Sequence, residues 1–301
     1  MFTFLSKKLV ISQNADVHSM SWHSMTDQLA IGGDNGMLKI LKVEDAHDPQ
    51  NEQQQAQPKI SVDSIDSKHL GAIGTLNWNE TYRKLTSVDN KGRMVIWTQK
   101  SGQEPGKKEW VQEMVNETGQ YQITAVVWSK DETKLAILIE DGQIIVGSVD
   151  GEKLWSKTID KAPMIAEWSP DGKYLIVGTK FGEVMVWESV GNYLFSMKIM
   201  CLQGVEEIDQ REDSDHVVVP DVPLAAIEWY RGSKMNTDDT PAGLVIAYQN
   251  GRVQLVKNEG DINPILLDCS ITVSQVRWNP NGTVFAVSGT LENNTEQVGV
   301  I

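Results

Sequence analysis

The residues with the most chemistry to offer are five histidines, two cysteines and one dense run of carboxylates. Their spacing limits what they can do. His18 and His23 flank a tryptophan, His47 and His69 lie in or beside polar stretches, and His216 sits inside the acidic run. Metal centres hold ligands in close register, as in Cys-x-x-Cys or His-Glu-x-x-His, and neither pattern occurs. Cys201 and Cys269 lie far apart, which reads as reduced, buried thiols. No nucleophile elbow or Gly-rich phosphate loop marks a reacting group. No catalytic residue, metal ligand or cofactor-binding residue is therefore expected. His18 is read as capping a strand end or filling a sheet edge. Glu206, Glu207, Asp209, Glu212, Asp213 and Asp215 remain, and their chemistry is electrostatic: a solvated loop, or a docking loop for a basic partner.

The elements that would carry these residues follow from a repeat. A Trp, a large apolar residue seven positions on and a Gly seven beyond that recur as Trp22/Leu29/Gly36, Trp78/Leu85/Gly92, Trp128/Leu135/Gly142 and Trp168/Leu175/Gly182. A fifth pass, Trp229/Leu244/Gly251, carries an insertion before its Leu, and a sixth begins with Trp278 and Phe285. A fixed period of this kind sets the architecture before any single residue does.

Each unit reads as strands. The position two before every Trp is apolar (Met20, Leu76, Val126, Ala166, Ile227, Val276), and the residue between is mostly polar, the period-two pattern of a strand. Turn residues such as Ser169-Pro170-Asp171-Gly172 follow. A nearly unbroken apolar strand comes next, such as Leu135 to Ile139, and implies burial on both faces. Asp141-Gly142 and Asn250-Gly251 then close hairpins into a third strand. More polar fourth strands are expected at Glu152 to Thr158 and Asn192 to Lys198. Units of four antiparallel strands, with tryptophans between 40 apart (Trp128 to Trp168) and 61 apart (Trp168 to Trp229), are blades of a β-propeller. The units expected are 17–66, 72–116, 121–160, 163–199, 224–269 and an incomplete 272–301, in one domain over 1–301. All six repeat tryptophans are expected in the core.

The stretch Ile165 to Glu188 resembles the general WD repeat, with Trp187 and Trp97 standing where the second Trp of that motif belongs. No Trp-Asp dipeptide occurs and no Gly-His opens a blade. The Asp-His-Ser/Thr-Trp hydrogen-bond network of WD repeats is thus not expected, and apolar packing must do more. A fuller resemblance covers MFTFLSKKLVIS, GGDNGMLKILKVE, LNWNETYRKLTSVDNKGRMVIW, EDGQIIVGSVDGEKLW and NPILLD. These segments are similar to the amino-terminal propeller of the family of WD repeat-containing protein thirty-five, core subunits of intraflagellar transport complex A. Tubby-like protein four shares this opening architecture.

That resemblance implies an all-β WD40-type propeller, seven-bladed in the native protein with about six blades in this chain. It also implies that the chain is an amino-terminal fragment followed by a second propeller and a helical solenoid. Residues 1–12, with strand character at Phe4 to Ile11, would be the closing strand.

Composition narrows the partners. A chain of 301 residues can bury about three quarters of its unfolded surface. A net charge of −14 disfavours phosphate backbones and anionic membrane surfaces, so no nucleic acid is expected. No apolar run is long enough to span a bilayer, and no signal peptide is recognised. No Phe-Arg-Arg-Gly motif supports phosphoinositide binding. Polar loops are expected at Glu44 to Pro58, Gln99 to Lys108, Gln203 to Pro223 and Arg231 to Pro241.

The expectation that follows is a non-enzymatic scaffold of the ciliary transport complex, acting in retrograde transport and in the ciliary entry of membrane proteins. Its partners would be the other complex A subunits and ciliary membrane-protein cargo or its adaptors. Its place would be the cytoplasm, axoneme and basal body. The alternatives are a vesicle-coat propeller of the coatomer type, a ubiquitin-ligase adaptor propeller, and a propeller hydrolase or oxidoreductase. The last would need convergent ligands at the first-strand starts, which are Val17, Ile73, Ile123, Met164, Ala225 and Val273.

Overall fold

A computed structural model of the chain describes residues 15–44, 59–102, 108–203, 222–230, 243–257, 261–279, 281–291 and 296–300. Two compact units are present, Met1–Ile123 and Thr124–Ile301. The first contains two sheets. One consists of β1 (Val17–His23), β2 (Gln28–Gly33), β3 (Leu38–Glu44) and β4 (Lys59–Ile65). The other consists of β5 (Ile73–Asn79), β6 (Lys84–Asp89), β7 (Arg93–Ser101) and β8 (Lys108–Glu117).

The second unit contains four sheets. The third sheet is β9 (Ile123–Trp128), β10 (Lys134–Ile139), β11 (Gln143–Ser148) and β12 (Lys153–Thr158). The fourth is β13 (Pro163–Trp168), β14 (Tyr174–Thr179), β15 (Val184–Glu188) and β16 (Tyr193–Ser196). The fifth is β17 (Leu224–Trp229), β18 (Leu244–Tyr248), β19 (Arg252–Val256) and β20 (Ile265–Asp268). The sixth holds three strands among the described residues, β21 (Thr272–Trp278), β22 (Phe285–Thr290) and β23 (Glu296–Val300).

Within each unit, core side chains lie between consecutive sheets. Leu38 and Ile40 of the first sheet meet Ile73, Leu76 and Trp78 of the second. Leu138 and Val146 of the third meet Trp168, Leu175 and Trp187 of the fourth. Val184 and Val186 of the fourth meet Ile227, Trp229 and Tyr248 of the fifth. Val245 and Val253 of the fifth meet Val276 and Phe285 of the sixth. The central strands β10 and β14 are buried along nearly their whole length and read as almost unbroken apolar runs, whereas β6 is as buried but carries Thr86, Ser87 and Asp89 inward.

The repeat tryptophans fasten these layers. The indole Nε1 of Trp78 donates to the Ser21 carbonyl at 2.9 Å, Trp168 to Val127 at 3.2 Å, and Trp278 to Glu228 at 3.3 Å. In each case the acceptor is the residue just before the Trp of the preceding sheet. Four of the six, Trp78, Trp128, Trp168 and Trp229, are buried as expected. Trp278 is half-buried. Trp22 corrects the expectation: it is 47% exposed, and Met20 beside it is 65% exposed. No sheet precedes β1 among the described residues of its unit, so nothing there covers this face.

Hairpin glycines keep the sheets closely spaced. Gly182 has φ of +87° and accepts the Tyr248 hydroxyl at 2.7 Å through its carbonyl. A Cβ there would stand 2.4 Å from the Val222 carbonyl oxygen. Another correction concerns Gln99 to Lys108. Gln99 to Ser101 extend β7 and Lys108 opens β8, because Lys100 pairs with Glu109 and Gln99 with Trp110 across the ladder. Residues 1–14 (with Phe4 to Ile11), 45–58, 204–221 and 231–242 lie outside the described residues.

Candidate functional site

A buried polar cluster lies in the second sheet, where none is expected from the residue pattern. His69 Nδ1 lies 2.9 Å from Asp89 Oδ2, and His69 Nε2 lies 2.7 Å from Ser87 Oγ. The Trp97 indole Nε1 donates to Ser87 Oγ at 2.8 Å. Ser87 and Asp89 project from β6, Trp97 from β7, and His69 from the connection between β4 and β5. This is the Asp-His-Ser-Trp network whose absence was expected, and the structure corrects that expectation. His69 follows Lys68 rather than a glycine, and Trp97 precedes Thr98 rather than an aspartate, so both dipeptide signatures fail while the four side chains are present.

Electrostatics explain how two titratable groups survive in a core. The side chains of His69 and Asp89 are 0% exposed. Burial pulls the His69 pKa below its ordinary value, against the hydrogen bond and charge of Asp89. Burial pushes Asp89 up, but hydrogen bonds from the Arg93 backbone N–H, the His69 ring and the Lys91 backbone N–H hold it below the usual carboxylate range. The stable arrangement is a neutral His69 donating from Nδ1 to ionised Asp89 and accepting the Ser87 hydroxyl at Nε2, a tautomer assigned from the network.

A serine, a histidine and a carboxylate in this order have the connectivity of a hydrolase triad. A nucleophile must reach its substrate, and Ser87 is fully buried and already accepts the Trp97 N–H. The arrangement can therefore hold strands together but cannot attack an outside molecule as it stands. It also ties three turns to one another. Gly71 N donates to Asp89, and Ser67 Oγ donates to the Gly36 carbonyl at 2.6 Å while accepting from His69 N.

The other singled-out residues are dispersed. His18 Nε2 meets Asp34 Oδ1 at 2.7 Å on the surface, tying β1 to the turn after β2. His23 is buried against the edge of Trp78. Cys201 is buried and Cys269 half-buried, both as free thiols, and burial raises the Cys201 pKa to about 12. Glu206, Glu207, Asp209, Glu212, Asp213 and Asp215, with His216, lie outside the described residues, as does His47. The approach to this segment is fixed, however. The Gln254 Oε1 accepts from Met200 N and Cys201 N, and its Nε2 donates to the Lys198 carbonyl. Among the described residues, no cluster of His, Cys, Asp and Glu could hold a metal ion. No helix there is long and apolar enough to cross a membrane.

Repeated four-stranded sheets with an Asp-His-Ser-Trp network define a WD-type β-propeller protein. The sequence model of the WDR35/TULP4 N-terminal β-propeller matches residues 1–301, and the chain belongs to that family. WD repeat-containing protein 35 of Homo sapiens is 33% identical over 291 residues, covering 96% of this chain and 23% of that protein. The Rattus norvegicus protein of the same name is 32% identical over 302 residues, covering 100% and 24%. Tubby-related protein 4 of Homo sapiens is 27% identical over 243 residues, covering 76% and 15%. The chain thus spans about a quarter of the length of the first two relatives. Among solved structures, a chain from a crystal structure of the mitotic checkpoint complex superposes with a TM-score of 0.62 at 14% identity. That match covers 95% of this chain and 75% of the other, and shows the fold alone.

Proposed function

We propose that this chain is a non-enzymatic scaffold module of the ciliary intraflagellar transport A complex. It acts in retrograde transport and in the ciliary entry of membrane-protein cargo, through protein–protein contacts of its propeller. The observation that carries this reading is the match of the family model over residues 1–301, together with about one-third identity to WD repeat-containing protein 35 along nearly all of the chain. The sealed Ser87–His69–Asp89 network supports the non-enzymatic part. The weaker match to tubby-related protein 4 keeps a ubiquitin-ligase adaptor as the second reading.

The partners in this reading are the other complex A subunits and cargo or its adaptors, met in the cytoplasm, at the basal body and along the axoneme. The acid-rich stretch Glu206 to Asp215 docks a basic partner. The native propeller has seven blades, with residues 1–12 as a closing strand; the uncovered Trp22 and Met20 support a further blade. Tagging the endogenous full-length protein in ciliated cells tests the reading. Signal at the basal body and along the axoneme, with cargo stalled at ciliary tips on depletion, is expected. Signal confined to vesicle coats or to ubiquitin-ligase assemblies would count against it.

A further inference from the structure

An aromatic ladder reaches the surface where the third and fourth sheets meet. The buried Trp187 stacks on Trp155 of β12, centroids 6.3 Å apart, and meets Tyr193 of β16 edge-on at 5.3 Å. Trp155 is half-buried and Tyr193 is 48% exposed. Val190, on the turn between β15 and β16, is 68% exposed. The eight residues from Ser189 to Ser196 carry no charge, in a chain with 41 acidic and 27 basic residues. On β12, Lys153 and Lys157 bracket Trp155; both are exposed and neither meets a carboxylate among the described residues.

We propose that this patch, Trp155, Val190 and Tyr193 bracketed by Lys153 and Lys157, docks an acidic, extended segment of a partner protein that carries aromatic or branched apolar side chains. The charge argument comes first. Lys161 and Lys173 of the same unit are matched to Glu183 and Asp171, whereas Lys153 and Lys157, either side of Trp155, are not. An uncharged aromatic surface flanked by two unmatched lysines complements carboxylates set either side of apolar groups. The second argument is preorganisation. Trp155 Nε1 already donates to the Ser189 carbonyl at 2.9 Å, and the Tyr193 hydroxyl is 3.1 Å from Ser196 Oγ. Gly191 fits so closely that a Cβ there would lie 2.8 Å from the Trp155 ring. These rings need little ordering on binding, which favours affinity. The extended form follows from topology. β12 and β16 are the edge strands of their sheets, so each offers a row of backbone groups to an added strand.

This inference rests on the reading of the chain as a protein-interaction module. Its test uses the full-length protein within its native assembly and a carbodiimide, a zero-length reagent that joins an amine to a carboxylate it touches. Lys153 or Lys157 is expected to join Asp or Glu of another chain, next to an aromatic or apolar residue. Tyr193→Asp should cut that yield about tenfold and Tyr193→Phe should keep it. Should Tyr193→Asp shift the unfolding transition, the exposed pair Lys153→Glu and Lys157→Glu decides the question by co-purification: the chain cross-linked to the native protein should be recovered about tenfold less with this variant. The proposal is overturned if both lysines acetylate as readily in the assembly as in the free full-length chain, if cross-links persist unchanged in Tyr193→Asp, or if the lysine pair variant recovers the same partner undiminished. Open lysines in an assembly containing complex A subunits defeat this patch alone. An acidic partner outside that complex defeats the proposed function and leaves the patch standing.

Discussion

Removing the Ser87 hydroxyl leaves the Trp97 indole N–H and His69 Nε2 facing each other in the core without the group that joins them. Ser87→Ala should cost about 2–3 kcal/mol, since unpaired buried polar groups forfeit their solvation; urea unfolding of the chain measures it. The network also sets a pH dependence. His69 has a folded pKa below its ordinary 6.5, so the unfolded chain binds the proton more readily. Its contribution is fully present above pH 6.5 and is lost as pH falls through the lowered folded value. Asp89, also lowered, adds to the loss only as pH falls below its ordinary 3.8. Stability should therefore drop as pH falls below 6.5 in the native protein, and a His69→Gln variant should show a shallower slope. A flat profile in the native protein would show that His69 is not the titrating group. The four residues were visible in the sequence but not legible as a unit. His69 precedes Trp78 by the nine residues that separate Trp78 from Ser87, and that spacing, unlike the dipeptide signatures, was available. The fourth sheet shows the contrast: Val177 stands where the second has Ser87, and the buried Trp187 N–H has no hydrogen-bond partner there.

Strand pattern was legible because it reports burial. An alternating first strand, an unbroken second and a glycine-closed hairpin each have a packing cause, and the sheets follow them. The burial of each tryptophan was less legible, because it depends on a neighbouring sheet and not on the strand itself. Trp168→Ala should cost about 3–5 kcal/mol by emptying a filled layer, whereas Trp22→Ala should cost under about 1 kcal/mol, as for other exposed positions. Equal losses in denaturant unfolding would refute the layer account. Gly182→Ala joins a positive φ to a Cβ placed against the Val222 carbonyl, and should destabilise by about 1–3 kcal/mol. The long β7–β8 pair was missed at Gln99 to Lys108 because glycine and lysines there resemble a loop; cross-strand pairing decides otherwise.

At the scale of the molecule, the chain is acidic, with a net charge of −14. Replacing Glu206, Glu207, Asp209, Glu212, Asp213 and Asp215 by Gln or Asn should weaken binding to a basic partner and flatten its salt dependence. Binding titrations at several salt concentrations measure both effects, and unchanged affinity would leave this stretch as solvated chain. Composition made the acidic stretch legible, while the lysine-flanked aromatic patch required the meeting of β12 with the turn before β16. The central claim concerns assembly. Its most direct test is the composition, by quantitative mass spectrometry, of the complex purified through the endogenous full-length protein from ciliated cells. The account predicts recovery of the other intraflagellar transport A subunits in equal amounts; recovery of the protein alone, or with coat or ubiquitin-ligase subunits in their place, would contradict it.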